Sequence, residues 1–266
     1  MRILMIGPTP RIYGGISAVA GAILDSDLVR QHQVTYLAEG TRQGRLNKLK
    51  RFASALLQVS WRLLRSQADV MHLHVGDGGS FYRHVLYLAL GRLAGVPVVF
   101  HWHLPGDASA ATSFYQSGGA TRRWLVRWAL DNASRVVVLS NSWQPALARL
   151  APNSLDLAGR IAALPNPVNC QEIRPLGSCQ PGGEVGNSLN KQSLVLFLGD
   201  FSARKGVRDL LAAAPTILAA HPAARFALCG GEPPADVQDL AAPLAGACRF
   251  PGFVRGAEKL RLLQEA

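Results

Sequence analysis

Acidic residues are scarce. The chain has 266 residues, and 28 lysines and arginines stand against 17 aspartates and glutamates, a formal net charge of +11. Such an excess favours anionic partners: nucleic acid, anionic lipid or phosphorylated substrates. Cysteine is scarce too. Cys170, Cys179, Cys229 and Cys248 form no CxxC pair, which argues against a disulfide framework and fits a reduced, cytoplasmic protein. No apolar run reaches the ~18 uncharged residues a membrane span needs. The opening MRILMIGPTP is broken too soon by glycine and proline to serve as a signal peptide. Neither GxGxxG nor a Walker loop occurs, so the usual nucleotide fingerprints are missing.

What is present is alternation. Short apolar runs at Arg2 to Ile6, Gln33 to Ala38, Asp69 to Val75, Val96 to Trp102, Arg135 to Leu139 and Ile161 to Leu164 read as strands. Helical stretches lie between most of them, at about Ile16 to Val29, Phe81 to Ala94, Thr121 to Ala133 and from Trp143. A long loop is expected after His103. This pattern predicts a doubly wound parallel sheet over residues 1–169. Residues 170–192, rich in Gly and Pro and poor in apolar residues, read as a linker. A second βα series fills 193–266, with strands at Leu194 to Leu198, Arg225 to Cys229 and Cys248 to Phe250. It holds fewer βα units than such a sheet needs, so the second sheet is expected to be incomplete.

The stretch LVLFLGDFSARKGVRDLL, Leu194 to Leu211, reads as buried strand, tight turn at Gly199, and helix capped by Asp200 or Ser202. A first helical turn ordinarily carries acids, because the helix N-terminus is positive. Arg204 and Lys205 stand there instead. They suit a bound anion such as a phosphate, or they simply point into water. The first glycine loop, Gly14-Gly15, sits likewise between a strand and a helix and also fits an ordinary βα turn.

Two other features bear on function. The segment Thr41 to Gln67 holds seven cations, from Arg42 and Arg45 to Arg62 and Arg65, with no acid. Its apolar side includes Leu46, Leu49, Phe52, Leu56, Leu57, Trp61 and Leu64. Such a helix lies on an anionic membrane surface, or it packs its stripe into a core and leaves the basic face in water. The pairs His72/His74 and His101/His103 each place two imidazoles on one strand face. That suits a metal-dependent hydrolase, although only Asp77 and Asp107 are at hand as carboxylate ligands; equally, the imidazoles serve packing and hydrogen bonding.

Six segments in order (GPTPRIYGGISAVAGAIL, HLHVGDGGSFYRHVLYLALGRLAGVPVVFHWHLPG, SRVVVLSNSW, LPNPV, FLGDFSARKGVRDLL and FALCGGEP) resemble the retaining GT-B glycosyltransferases of family 4, within them the bacterial exopolysaccharide branch. The resemblance implies two Rossmann-like domains, the second incomplete. It implies a hexose moved with retention from a nucleotide sugar, held mostly by the second domain, to a saccharide acceptor on a lipid carrier. No metal and no separate cofactor are expected, the donor itself being the substrate. Lys205 would contact the donor diphosphate, with Arg204 and Gly199 beside it and Gly14 and Gly15 closing over it. His103 would organise the reaction centre, with His101 a second candidate. The backbone at Phe253 and Val254 would hold the nucleobase.

The chain departs from the family pattern at two places. Asp200 stands where the family commonly has Arg. The family's Glu-x7-Glu motif would fall beyond Ala266, so turnover is expected to need that segment. The expected setting is cytoplasmic, peripheral on the inner face of the plasma membrane through Arg42 to Arg65, without nucleic acid as a partner, since no aromatic residues interleave with the cations in an RNA-binding pattern. The alternatives are the hydrolase above and a non-catalytic basic membrane-binding module.

Overall fold

The computed structural model describes residues 1–10, 14–39, 44–103, 108–152, 154, 156–167, 193–244 and 246–266. The chain divides into two compact units, Met1–Val168 and Asn169–Ala266. The stretch read as a linker, 170–192, lies outside the described residues.

The first unit is built on a six-stranded parallel sheet in the order β2-β1-β3-β4-β5-β6. Its strands are β1 (Arg2–Pro8), β2 (Gln33–Glu39), β3 (Val70–Val75), β4 (Val98–Trp102), β5 (Arg135–Val138) and β6 (Ile161–Ala163). Strand order reverses beside β1, as in doubly wound sheets, where ligands gather at the carboxyl ends of the strands. The helices are α1 (Gly15–Leu24), α2 (Asp27–Gln31), α3 (Arg45–Leu64), α4 (Gly78–Leu93), α5 (Ala108–Gln116), α6 (Ala120–Asn132), α7 (Trp143–Leu150) and α8 (Leu157–Arg160). One core cluster joins Leu4 and Ile6 of β1, Met71, Leu73 and Val75 of β3, and Val98, Phe100 and Trp102 of β4 to Val59, Leu88 and Leu130 of α3, α4 and α6. The period of two along β3 and β4 puts these apolar residues on one face and the histidines on the other.

Three expectations need correction. The helix expected from Ile16 to Val29 is two helices, because Ser26 caps a second one by accepting the amide of Leu28 at 3.3 Å. The loop expected after His103 contains α5, whose Phe114 packs edge-on against Phe81 and Trp102. The apolar residues of α3 do not form one stripe. Phe52, Ala55, Leu56, Val59 and Leu63 join the core, whereas Leu46, Leu49, Leu57, Trp61 and Leu64 are exposed on another side of the helix.

The second unit has a three-stranded parallel sheet, β7-β8-β9, from β7 (Leu194–Leu198), β8 (Arg225–Cys229) and β9 (Cys248–Gly252). Its helices are α9 (Val207–Ala220), α10 (Ala235–Ala241) and α11 (Gly256–Glu265). Alternation along β8 sends Phe226 and Leu228 into a core with Val207, Leu211 and Val237, and Ala227 and Cys229 toward Leu262 of α11.

Candidate functional site

In the first unit, the carboxyl ends of β3 and β4 carry a square of imidazoles. The parallel register sets His74 directly opposite His101. His103 follows β4 and extends the ladder by donating its amide to the Val75 carbonyl at 2.7 Å. Ring nitrogens meet across the diagonals: His72 Nε2 lies 3.2 Å from His101 Nδ1, and His74 Nδ1 lies 3.1 Å from His103 Nε2. His74, His101 and His103 are buried. Burial pushes His72 down to about 4. Burial, with the neighbouring imidazoles His72 and His84, does the same for His103. His101 and His74 are held lower still, first by burial and then by the surrounding imidazoles. All four rings are therefore neutral near pH 7. They can donate and accept hydrogen bonds or ligate a metal, but they do not offer positive charge to a phosphate.

A network that sequence reasoning missed stands close by in the chain. Glu39, the last residue of β2, is buried. It accepts the Tyr87 hydroxyl at 3.0 Å and Arg83 Nε at 3.3 Å, and His84 Nδ1 lies 3.6 Å away. A lone Glu ending an apolar strand was its one signal. Gly14 and Gly15 open α1 and are exposed, with nothing within 4 Å of a side chain's starting point. Their backbone is thus accessible. Asp77, at the N-terminus of α4, is exposed, and Asp107 lies outside the described residues.

In the second unit, the turn after β7 is built differently from the expectation. Ala203–Lys205 form a single 3-10 turn, and Gly206 then takes a left-handed conformation (φ 75°) before α9 starts at Val207. Arg204 and Lys205 therefore precede the helix, and its own first turn carries Asp209, the acid a helix N-terminus favours. Both cations are exposed. Asp200 turns back on the loop, accepting the Ser202 amide at 3.0 Å. Hydrogen bonding from the Ser202 hydroxyl and then its amide, with Lys205 and Arg204 nearby, holds its carboxyl below the usual range. Gly199 donates its amide to Cys229 at 2.9 Å, and its carbonyl comes so close to Gly230 that a Cβ there would sit at 2.4 Å. Phe253 is partly exposed beside Gly231, while Val254 packs on the Ala227–Leu262 cluster.

Two family models meet this architecture. Residues 10–167 match the glycosyl transferase 4-like domain, and residues 192–266 match glycosyl transferases group 1. The chain belongs to the glycosyl transferase 4-like family. No curated protein matches this glycosyltransferase. Among solved structures it is similar to Anabaena Alr3699/HepE in complex with UDP and glucose, at 15% identity and a TM-score of 0.61, over 100% of this chain and 72% of that one. It is also similar to the α,α-trehalose 6-phosphate synthase of Burkholderia multivorans, at 13% identity and a TM-score of 0.58, over 98% and 74%. A third is the UDP-GlcNAc 2-epimerase of Neisseria meningitidis bound to UDP-GlcNAc, at 10% identity and a TM-score of 0.58, over 100% and 76%. Identities this low establish the GT-B type of fold, and the presence of an epimerase among them shows that this fold serves more than one reaction.

Proposed function

We propose that the chain moves a hexose from a nucleotide sugar to a saccharide acceptor on a lipid carrier, with retention, in exopolysaccharide or cell-envelope glycan synthesis. The observation that carries this reading is the match of both units, in order, to glycosyltransferase family models. In this reading the turn after β7 takes the donor diphosphate. Lys205 and Arg204 supply charge, and the amides at the start of α9 add the positive end of a helix dipole. Gly14 and Gly15 offer backbone amides. The backbone at Phe253 and Val254 holds the nucleobase. His103, neutral at working pH, positions an acceptor hydroxyl by hydrogen bonding, with His101 behind it. The exposed apolar stripe of α3, bordered by Lys50, Arg51 and Arg65, supports docking on an anionic membrane, where a lipid carrier resides. Arg42 and the side chain of Arg45 lie outside the described residues. Among the described residues no helix is long and apolar enough to cross a membrane.

Titration with UDP tests the donor half, because HepE and the Neisseria epimerase were solved with UDP or a UDP-sugar. Loss of one charge-assisted contact costs about 1.5–3 kcal/mol, so Lys205→Ala should weaken UDP about 10- to 100-fold. Unchanged affinity removes Lys205 from the site.

A further inference from the structure

The four imidazoles hold more ligating capacity than hydrogen bonding among themselves uses. A neutral imidazole has one N–H and one lone pair. His74 and His101 each spend one nitrogen on a diagonal contact, and the Nε2 of each is buried without a partner. An orphaned buried polar atom is a standing cost unless something occupies it.

The spacing shows what fits. Ligand nitrogens of His72, His74 and His101 all lie within 4.8 Å of one another. Two imidazole nitrogens on a tetrahedral zinc ion, at metal distances of about 2.0–2.1 Å, stand roughly 3.3 Å apart. The 3.2 Å between His72 Nε2 and His101 Nδ1 is close to that separation, so an ion held there replaces the hydrogen bond between them, and the partnerless Nε2 of His74 is free to be the third ligand. A ring nitrogen of His74 lies within 4.8 Å of both. The set is all nitrogen and all neutral, with no carboxylate among the three, which selects zinc or a similar borderline transition metal over magnesium or calcium.

We propose that His72, His74 and His101 form a site for one zinc-class transition-metal ion at the carboxyl ends of β3 and β4. A solvent molecule takes the fourth position. The resemblance that frames this protein implies no metal, and the site stands whether or not the chain transfers sugar.

The experiment uses the full chain stripped with a chelator and titrated with Co2+ under visible absorption, then with Zn2+ by calorimetry. Tetrahedral nitrogen ligation predicts one equivalent of Co2+ with intense d–d bands, displaced by Zn2+. His72→Ala is the first variant, since His72 is the least buried of the three, and its fold is checked by circular dichroism. It should weaken uptake at least tenfold, whereas His32→Ala and His221→Ala, on the surface, should leave it unchanged. Anomalous scattering at the zinc edge from a soaked crystal supplies a second readout, with a peak expected among the three rings. Absence of stoichiometric uptake overturns the proposal. So does uptake that survives His72→Ala, or an anomalous peak elsewhere.

Discussion

Asp200 Oδ1 accepts the backbone amide of Ser202 at 3.0 Å, so the acid in the turn after β7 is committed to shaping it. A carboxylate facing a diphosphate would repel it; one tied into an Asx-type turn sets the chain for the 3-10 turn that carries Arg204 and Lys205. Asp200→Asn keeps the acceptor and removes the charge, and it should bind UDP as tightly as wild type or more tightly. Asp200→Ala removes both and should cost about 1 kcal/mol of stability, as a lost hydrogen bond does. Urea unfolding and UDP titration of the two variants check this, and an Asp200→Ala protein unchanged in both would remove the turn-shaping role.

Gly230 is a position where a single methyl group meets backbone. Its added Cβ would lie 2.4 Å from the Gly199 carbonyl and 3.0 Å from the Phe201 ring. Because the first neighbour is main chain, relief requires the ends of β7 and β8 to separate, which breaks the Gly199–Cys229 hydrogen bond. Gly230→Ala should destabilise the protein by about 1–3 kcal/mol, the usual range for overpacking. Denaturant midpoints measure it.

The histidine square sets a pH dependence of known sign. Unfolded histidines protonate near pH 6.5. In the native state His72 and His103 protonate only near 4, and His74 and His101 lower. Between pH 6.5 and 4 the unfolded chain therefore binds more protons, and stability falls as pH falls. Above about pH 7.5 these groups add no slope. Urea unfolding in chelator at pH 7.5, 6 and 5 should show the decline, and His103→Gln should make it shallower. A flat profile across that window contradicts neutral burial of the rings.

Much of this fold is written in hydropathy, and the misses have physical causes. Period-two alternation in VMHLHV and VVFHWH is enough to place each histidine pair on one strand face. The diagonal nitrogen contacts are not legible in the same way, because they depend on the register between β3 and β4, which is set by the whole sheet. The α5 sequence ASAATSFYQ mixes three alanines with weaker helix formers and is too short to be stable alone, so the helix depends on tertiary packing such as that of Phe114. The start of α9 departs from the expectation because Gly206 adopts a left-handed conformation that shifts the helix past Arg204 and Lys205. The family resemblance points to Arg204 and Lys205 as candidates for the donor diphosphate, but it carries no information on Glu39 and its partners.

Glu39 anchors the end of β2 to α4. Tyr87 and Arg83 both donate to its buried carboxylate, and Arg83 is about one-third exposed (32%), so it can turn to water if Glu39 is lost. The buried Tyr87 hydroxyl has no such escape. Glu39→Gln retains an acceptor for Tyr87 but weakens the Arg83 contact, and should cost about 1–2 kcal/mol. Glu39→Ala should cost about 3 kcal/mol, because a buried hydroxyl is left unsatisfied as well. Thermal unfolding of the pair separates charge from hydrogen bonding: equal losses would mean that the Arg83 contact dominates.

The face that α3 leaves uncovered makes the membrane reading testable without assaying transfer. Leu57, Trp61 and Leu64 are 71%, 54% and 83% exposed, and Arg65 lies over the Trp61 ring at 4.2 Å. The core contacts of this helix come from Phe52, Ala55, Leu56, Val59 and Leu63, so changing the outer residues leaves the packing intact. Leu57→Glu with Leu64→Glu should abolish sedimentation with phosphatidylglycerol vesicles and leave the thermal midpoint near that of wild type. Neutralising Lys48, Lys50 and Arg51 removes attraction of about 1 kcal/mol per cation, which predicts roughly 100-fold weaker binding and a shallower salt dependence. If the glutamate pair still sediments, the exposed leucines serve another purpose. If neutralisation alone changes nothing, the surface charge is not what draws this protein to anionic lipid.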